Sequence, residues 1–180
     1  MLQITIPAIE LWDERTQEFV TRKEQTLQLE HSLVSVYKWE SKWNKPFLGK
    51  GEKTDEEVRD YIKCMTLTQH VDPDSYQYLS DENFKQINDY IQAPMTATTF
   101  REEKQTRGGQ KIITAEVIYS WMFSLQIPIE CQKWHLNRLM TQIRACSVMN
   151  QSPKKMSKRE IMSQNAALNA ARRQKLNSKG

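Results

Sequence analysis

Cys131 and His135 are the residues best placed to hold a metal ion. They stand four apart in a segment with a helical pattern, where side chains at i and i+4 share a face. A structural zinc site needs four ligands, and no second Cys/His pair at ligand spacing accompanies this one, since His31 and His70 belong to unrelated segments. The pair is more typical of helix residues near the edge of a core. We therefore predict no metal site and no other cofactor.

A nucleophile paired with a base is equally hard to assemble. Cys64 and His70 are six residues apart, nearly two helical turns, and the serines fall mainly at cap or turn positions. No Gly-x-Ser-x-Gly motif or phosphate-binding glycine loop occurs, and Gly108-Gly109 is an isolated pair. Acidic residues at 55–57 suit the positive end of a helix dipole without any catalytic role. The sequence thus predicts no catalytic residues and a protein that is not an enzyme.

The composition is that of a globular chain with an appendage. The chain has 180 residues, of which 38% are hydrophobic and 27% charged. No segment has the eighteen or more apolar residues that a membrane-spanning helix needs, so we expect no membrane partner. The three cysteines form an odd set without short-range pairing, and no secretory signal precedes the first strand-like segment. A cytoplasmic location is therefore expected.

Charge divides the chain into two parts. Residues 154–180 contain eight basic residues and one acidic residue, a net charge of +7, which leaves residues 1–153 at −3. We predict a globular domain over 1–150 and a basic helical extension over 151–180. Ser157 and Glu160 form a capping box, but the apolar stripe behind them is thin, so this helix is expected to order on a partner. Its candidate partner-binding residues are Lys154, Lys155, Lys158, Arg159, Arg172 and Arg173.

The predicted fold class is α+β and mainly helical, because strand-like alternation clusters at the N-terminus instead of alternating with helices. Residues 2–30 predict a small antiparallel meander. About five helices should follow before the basic helical extension, on the basis of apolar periodicity, N-cap residues and prolines. The first helix begins near His31 or Ser32 and ends near Trp43. The other four cover 54–69, 80–93, 114–126 and 128–149. We expect the last two to pack as an antiparallel hairpin.

Aromatic residues interleaved with lysines raise the alternative of nucleic-acid binding. Tyr37, Trp39 and Trp43 could stack on bases while neighbouring lysines meet phosphates. Val36, Trp39 and Trp43, however, fall at i, i+3 and i+7 of one helix, which favours burial in a core. The basic extension could also bind nucleic acid. It has no aromatic residue, so such binding would be weak and non-specific.

Several runs resemble a group of tailed-bacteriophage proteins, the tail assembly chaperones. The similarity extends over most of the chain. The runs are EHSL at 30–33, KWESKWNKPFL at 38–48, DYIKCMT at 60–66, APMTATTF at 93–100, WHLNRL at 134–139, and the ending from PKKMS at 153–157 to ALNAARR at 167–173.

This resemblance implies a chaperone in the host cytoplasm that coats the helical tape-measure protein and helps recruit tail-tube subunits. A groove formed by the 114–126 and 128–149 helices is the candidate binding face, with Trp121, Met122, Trp134 and Met140 as anchors. Plain core packing is the simpler interpretation of these four residues. An alternative function is that of a structural virion component, namely a tail, connector or head-associated protein whose basic extension docks on neighbouring virion proteins. Self-association through the extension is a further possibility.

Overall fold

The computed structural model describes residues 1–13, 17–100, 112–150 and 158–176, and the chain divides into two compact units, Met1–Cys146 and Ser147–Gly180. The predicted α+β, mainly helical fold is confirmed. Among the described residues, no helix is long and apolar enough to cross a membrane. The elements are β1 Leu2–Ile6, β2 Ile9–Asp13, β3 Glu18–Arg22, β4 Gln25–Leu29, α1 Leu33–Trp43, α2 Asp55–Met65, α3 Asp81–Gln92, α4 Ala115–Ser124, α5 Leu136–Asn150 and α6 Lys158–Leu176, with 3-10 helices at Pro73–Tyr78 and Ile129–Lys133.

The four strands are antiparallel, as predicted, but they pair as one long hairpin and not as the predicted meander, in which each strand would pair with the next along the chain. β1 pairs with β4, and β2 pairs with β3 in continuous register, from Leu2 opposite Leu29 to Asp13 opposite Glu18. Pro7 lies between the two ladders, where it has no N–H to donate. In the β1–β4 half, the side chains of Ile4, Ile6, Leu27 and Leu29 are buried in the core. We call the β2–β3 half the arm.

Helix α1 is the centre of the larger unit. It begins where predicted, near His31 or Ser32, and Ser32 caps it, since its side chain accepts a hydrogen bond from the backbone N–H of Ser35. The helix ends at Trp43, and Asn44 follows in the left-handed region with φ of 51°. Trp39 is buried at 1% exposure, and α1 packs against α2 and α4. The predicted burial of the 36/39/43 face is confirmed, with Trp43 itself half-buried against the core.

The predicted capping box of α2 is present. Thr54 Oγ1 accepts a hydrogen bond from the Glu57 backbone N–H at 3.3 Å, and Glu57 Oε2 accepts one from the Thr54 N–H at 2.9 Å. We expect Thr54→Ala to lower the free energy of unfolding by about 1 kcal/mol, because one N-terminal amide of α2 loses its acceptor. Urea denaturation measures the change. Thr99→Ala, at an exposed position, is the control and should stay within about 0.5 kcal/mol of wild type; an equal loss in both variants would contradict the capping role.

Two predicted helix boundaries are wrong, for reasons that involve distant segments. α2 ends at Met65 and not near Gln69, because the Leu67 N–H bonds to the Gln28 carbonyl beside β4. The helix predicted from 128 is a 3-10 turn followed by α5, which starts at Leu136. An isolated β-bridge between Ser32 and His135 interrupts the predicted helix between the 3-10 turn and α5.

The packing of α4 also differs from the prediction. Among the described residues, α4 makes its main helix contact with α1, and no comparable contact joins it to α5. The expected hairpin of the 114–126 and 128–149 helices is therefore not the principal packing of this region. Of the polar stretch 96–111, residues 96–100 are irregular and 101–111 lie outside the described residues.

Candidate interaction surfaces

The four predicted anchors of the α4–α5 face lie in or against the core. Met122 is completely buried, so it cannot reach a partner without opening the core. Trp121, Trp134 and Met140 are half-buried and pack against the same core cluster. The guanidinium of Arg138 covers the Trp134 ring at 4.4 Å from its centroid. For Met122 this placement agrees with the interpretation as a core residue. Of Trp121, Trp134 and Met140, only the outer edges are accessible to a partner.

Exposed apolar side chains in this region are ones that the sequence pattern did not single out. Phe123 is 65% exposed, next to buried Met122, and Ile129 is 41% exposed after Pro128. Phe123 is in the last turn of α4, and Ile129 is the first residue of the 3-10 helix at Ile129–Lys133. Phe123 follows Met122 directly, so on a helix it points about 100° away from the buried face. This angular offset from Met122 is the sequence signal from which the exposure of Phe123 could have been predicted.

His135 does not pair with Cys131 as a ligand set. Its Nε2 lies 3.0 Å from the Tyr90 carbonyl, and its Nδ1 accepts a hydrogen bond from the Asn137 N–H at 3.3 Å. Both ring nitrogens are therefore engaged, and the pattern defines a neutral ring with its proton on Nε2. Among the described residues, no group of three or more His, Cys, Asp or Glu side chains is arranged to hold a metal ion. His135 joins the start of α5 to the end of α3.

His31 and His135 form a buried histidine pair, with ring centroids 5.1 Å apart. The Nδ1 of His31 lies 2.5 Å from the Tyr61 hydroxyl, and its backbone carbonyl accepts a hydrogen bond from the Leu136 N–H. Burial, and secondarily the nearby His135, lowers the pKa of His31 to about 4. Burial also lowers the pKa of His135. The pair is thus neutral at pH 7 and serves to connect four segments of the fold.

Glu40 is a buried carboxylate that joins three parts of the chain. Its Oε1 accepts a hydrogen bond from the Phe47 N–H at 2.7 Å, and its Oε2 accepts one from the Ala115 N–H at 2.7 Å. The second bond serves the first residue of α4, where the Thr114 side chain makes no cap. Both acceptor oxygens are used by backbone amides, so Glu40 fixes the geometry of α1, the 44–54 connection and α4.

Lysines and tryptophans around α1 are committed to one another and to carboxylates. The Trp43 indole N–H donates to Asp60 at 2.9 Å, Lys42 also pairs with Asp60, and Lys45 pairs with Glu57. The Lys45 hydrogen bond, followed by that from Thr54, lowers the pKa of the Glu57 carboxyl. Trp39 is buried and donates its indole N–H to a backbone carbonyl. These rings are therefore not available as a stacking platform for bases.

A shallow cavity of about 280 Å³ lies beside this cluster. Its walls include Trp39, Lys45, Lys53 and Glu57. The Lys53 ammonium lies 4.5 Å from the Phe47 ring centroid, and burial lowers its pKa. Lys45 and Lys53 already face a carboxylate or a ring, whereas Lys50, which also lines the cavity, has no ion pair with another described residue.

The arm exposes an aromatic pair that the sequence pattern did not identify as a surface feature. Trp12 and Phe19 lie directly opposite each other on β2 and β3, with ring centroids 4.9 Å apart in an edge-to-face arrangement. Trp12 is 53% exposed and Phe19 68%. At the base of the arm, Arg22 pairs with Asp72 at 2.7 Å and with Asp74 at 2.9 Å. The arm is therefore fixed at its base and carries an uncovered apolar face towards its tip.

The basic extension forms α6, as predicted, and its described side chains are all exposed. Lys158, Arg159, Arg172 and Arg173 lie on this helix, whereas Lys154 and Lys155 lie outside the described residues. The exposed apolar residues of α6 include Ile161 at 44%, Leu168 at 50% and Leu176 at 75%. Their spacings of seven and eight residues are close to two helical turns, so they share one face of the helix.

The arm, α6 and the region from the end of α4 to the following 3-10 helix are thus three of the places where large apolar side chains are exposed. The buried polar groups have structural roles: every buried side-chain nitrogen or oxygen of the described residues has a hydrogen-bond partner. Comparison of the chain with protein-family models, with curated protein sequences and with solved structures finds no match.

Proposed function

We propose that this protein is a non-enzymatic tail assembly chaperone of a tailed bacteriophage, which binds the tape-measure protein and helps recruit tail-tube subunits. The observation that carries the proposal is the exposure of large apolar side chains on separate elements, in a chain whose buried polar groups are all engaged where the structure describes them. The Trp12–Phe19 pair and the Ile161–Leu168 face of α6 group such side chains together, and exposed apolar patches are typical of surfaces that bind other proteins. The sequence resemblance to phage chaperones supplies the partner.

In this proposal the apolar residues cover a helical client. A tape-measure protein with a repeated apolar stripe needs a cover before the tail tube forms around it, and helix-in-groove binding supplies one. Phe123 on α4 and Ile129 in the following 3-10 helix are accessible apolar residues in the region of the predicted α4–α5 face. The half-buried edges of Trp121, Trp134 and Met140 border the same region. The basic helix α6 then offers a separate cationic surface to acidic tail-tube subunits.

Co-expression with the tape-measure protein of the same phage tests the proposal. We expect the tape-measure protein to be soluble with the wild-type chain and insoluble without it. Phe123→Ser should reduce the soluble fraction, because it removes an exposed apolar contact while leaving the core intact. Leu67→Ser, at another exposed apolar position, is the matched control and should leave the soluble fraction unchanged. Equal solubility with and without the chain would contradict the proposal.

The alternative is a structural virion component whose basic helix docks on neighbouring proteins. The full exposure of α6 favours a docking role in either case. Mass spectrometry of purified particles separates the two functions, since a chaperone is absent from finished particles and a structural component is present in stoichiometric amounts. Detection of the chain at that level would replace the chaperone proposal with the structural one.

A further inference from the structure

We propose that the arm of one copy of this protein binds α6 of a second copy, so that the chain self-associates head to tail. This inference concerns the purified chain alone and does not rest on the proposed chaperone function. It is carried by two exposed surfaces of opposite charge, each with an apolar face that lacks a cover.

The arm supplies the acidic surface. Its strands carry Glu10 and Glu18, and the one basic residue on these two strands, Arg22, is engaged by Asp72 and Asp74 at the base. Neither Glu10 nor Glu18 has an ion pair with another described residue. Glu10 and Thr21 share a face with the Trp12–Phe19 pair, which is more than half exposed, whereas Glu18 lies on the opposite face of the ribbon. An acidic two-stranded ribbon with an uncovered aromatic pair fits a cationic amphipathic helix.

Helix α6 has the complementary properties. It contains five basic residues and one acidic residue, a net charge of +4. Ile161 and Leu168 share a face, and Arg172 lies one turn beyond Leu168 on that face. Met162, 72% exposed, borders the stripe and is suited to contacts with aromatic rings. The helix can therefore place apolar side chains on the aromatic pair while its basic residues lie near Glu10, the carboxylate on the same face of the arm.

The dimensions of the two surfaces agree. Five residues of a strand extend over about 17 Å, and nineteen residues of a helix over about 28 Å. Ile161 and Leu168 are separated by about 10 Å along the helix axis, so both lie within the length of the arm when the helix lies along it. About two turns of α6 then extend beyond the arm.

A second copy is the occupant that the charges favour. The acidic surface belongs to the Met1–Cys146 unit and the basic one to the Ser147–Gly180 unit, so every copy carries both halves of the contact. Pairing α6 with α6 would instead oppose two surfaces of charge +4. Contact between the arm of one copy and α6 of the next is heterologous, and it can repeat from copy to copy.

Analytical ultracentrifugation of the full chain at low and high salt tests this inference. Two charge-reversed variants are compared with wild type: Glu10→Lys with Glu18→Lys in the arm, and Arg172→Glu with Arg173→Glu in α6. We expect wild type to associate with increasing concentration and less strongly at high salt. Each variant alone should associate at least about tenfold more weakly, since like charges then face each other. An equimolar mixture of the two variants should recover association.

Matched controls carry the same charge changes elsewhere. Asp89→Lys with Glu130→Lys corresponds to the arm variant, and Lys85→Glu with Lys133→Glu to the α6 variant; all four positions are exposed. Both controls should associate like wild type. Circular dichroism shows whether each variant keeps its helices. A wild-type chain that stays monomeric at all concentrations, or a mixture that fails to recover association although both variants are folded, would overturn the inference.

Discussion

Substitution of Glu40 by glutamine is expected to lower the free energy of unfolding by about 3 kcal/mol, one of the two largest effects that we predict. The carboxylate accepts hydrogen bonds from the backbone amides of Phe47 and Ala115, both at 2.7 Å, in a buried site. Glutamine has the same shape but only one acceptor oxygen. Its amide group would direct N–H donors at one of the two backbone N–H groups, so that one buried amide loses its acceptor.

Urea denaturation of Glu40→Gln measures this loss. Glu116→Gln, at an exposed position on α4, is the matched control and should change the free energy by less than about 0.5 kcal/mol. Hydrogen exchange adds a local measurement: the Ala115 amide should exchange faster in Glu40→Gln by more than the global destabilisation explains. If Glu40→Gln is as stable as the control variant, the carboxylate does not hold α4 in place.

Helix termini were predictable from the sequence because their causes are local. Ser32, Thr54 and Ser80 each stand immediately before the helix that they cap, and each caps it with its own side chain. Pro94 comes shortly after the end of α3, and the apolar periods of α1 and α3 identify their buried faces. The information needed for these elements lies within a few residues of each terminus.

Contacts between distant segments were not predictable in this way. Glu40 and Ala115 are 75 residues apart, and His135 and Tyr90 are 45 residues apart. These contacts decide where α4 and α5 begin, so a local pattern overestimates the length of the helix after Pro128. The hairpin pairing of β1 with β4 is non-local in the same sense, because alternation identifies strands but not their partners.

The candidate surfaces were only partly predictable. Charge alone identified the extension that forms α6, since eight basic residues after 153 stand out in any count. The anchors proposed on the α4–α5 face followed from residue type, and type does not distinguish a buried methionine such as Met122 from an exposed one. The Trp12–Phe19 pair was missed because its members come together only through the register of the arm.

Stability is expected to fall by about 3 kcal/mol as the pH drops from 6.5 to about 4, because His31 is held neutral in the fold. The folded-state pKa of His31 is about 4, below its ordinary value of 6.5, so in this window the unfolded chain binds a proton that the folded chain rejects. The stabilising contribution is complete above pH 6.5 and is lost towards pH 4. The pKa of His135 is lowered by burial, which adds an effect of the same sign.

Measuring the free energy of unfolding in urea at several pH values from 7.5 to about 4.5 isolates the histidines, since carboxylates with ordinary pKa values near 4 titrate mainly below this range. His31→Gln should be less stable at pH 7.5 but should show a much flatter pH profile, because glutamine has no proton to gain. His70→Asn, at an exposed position, should keep the wild-type slope. A steep profile that persists in His31→Gln would assign the proton uptake to another group. A flat profile already present in wild type would mean that the His31–His135 pair opens to water before it is charged. The contact between the residues that precede α1 and α5 would then be weaker than the burial of the two histidines implies.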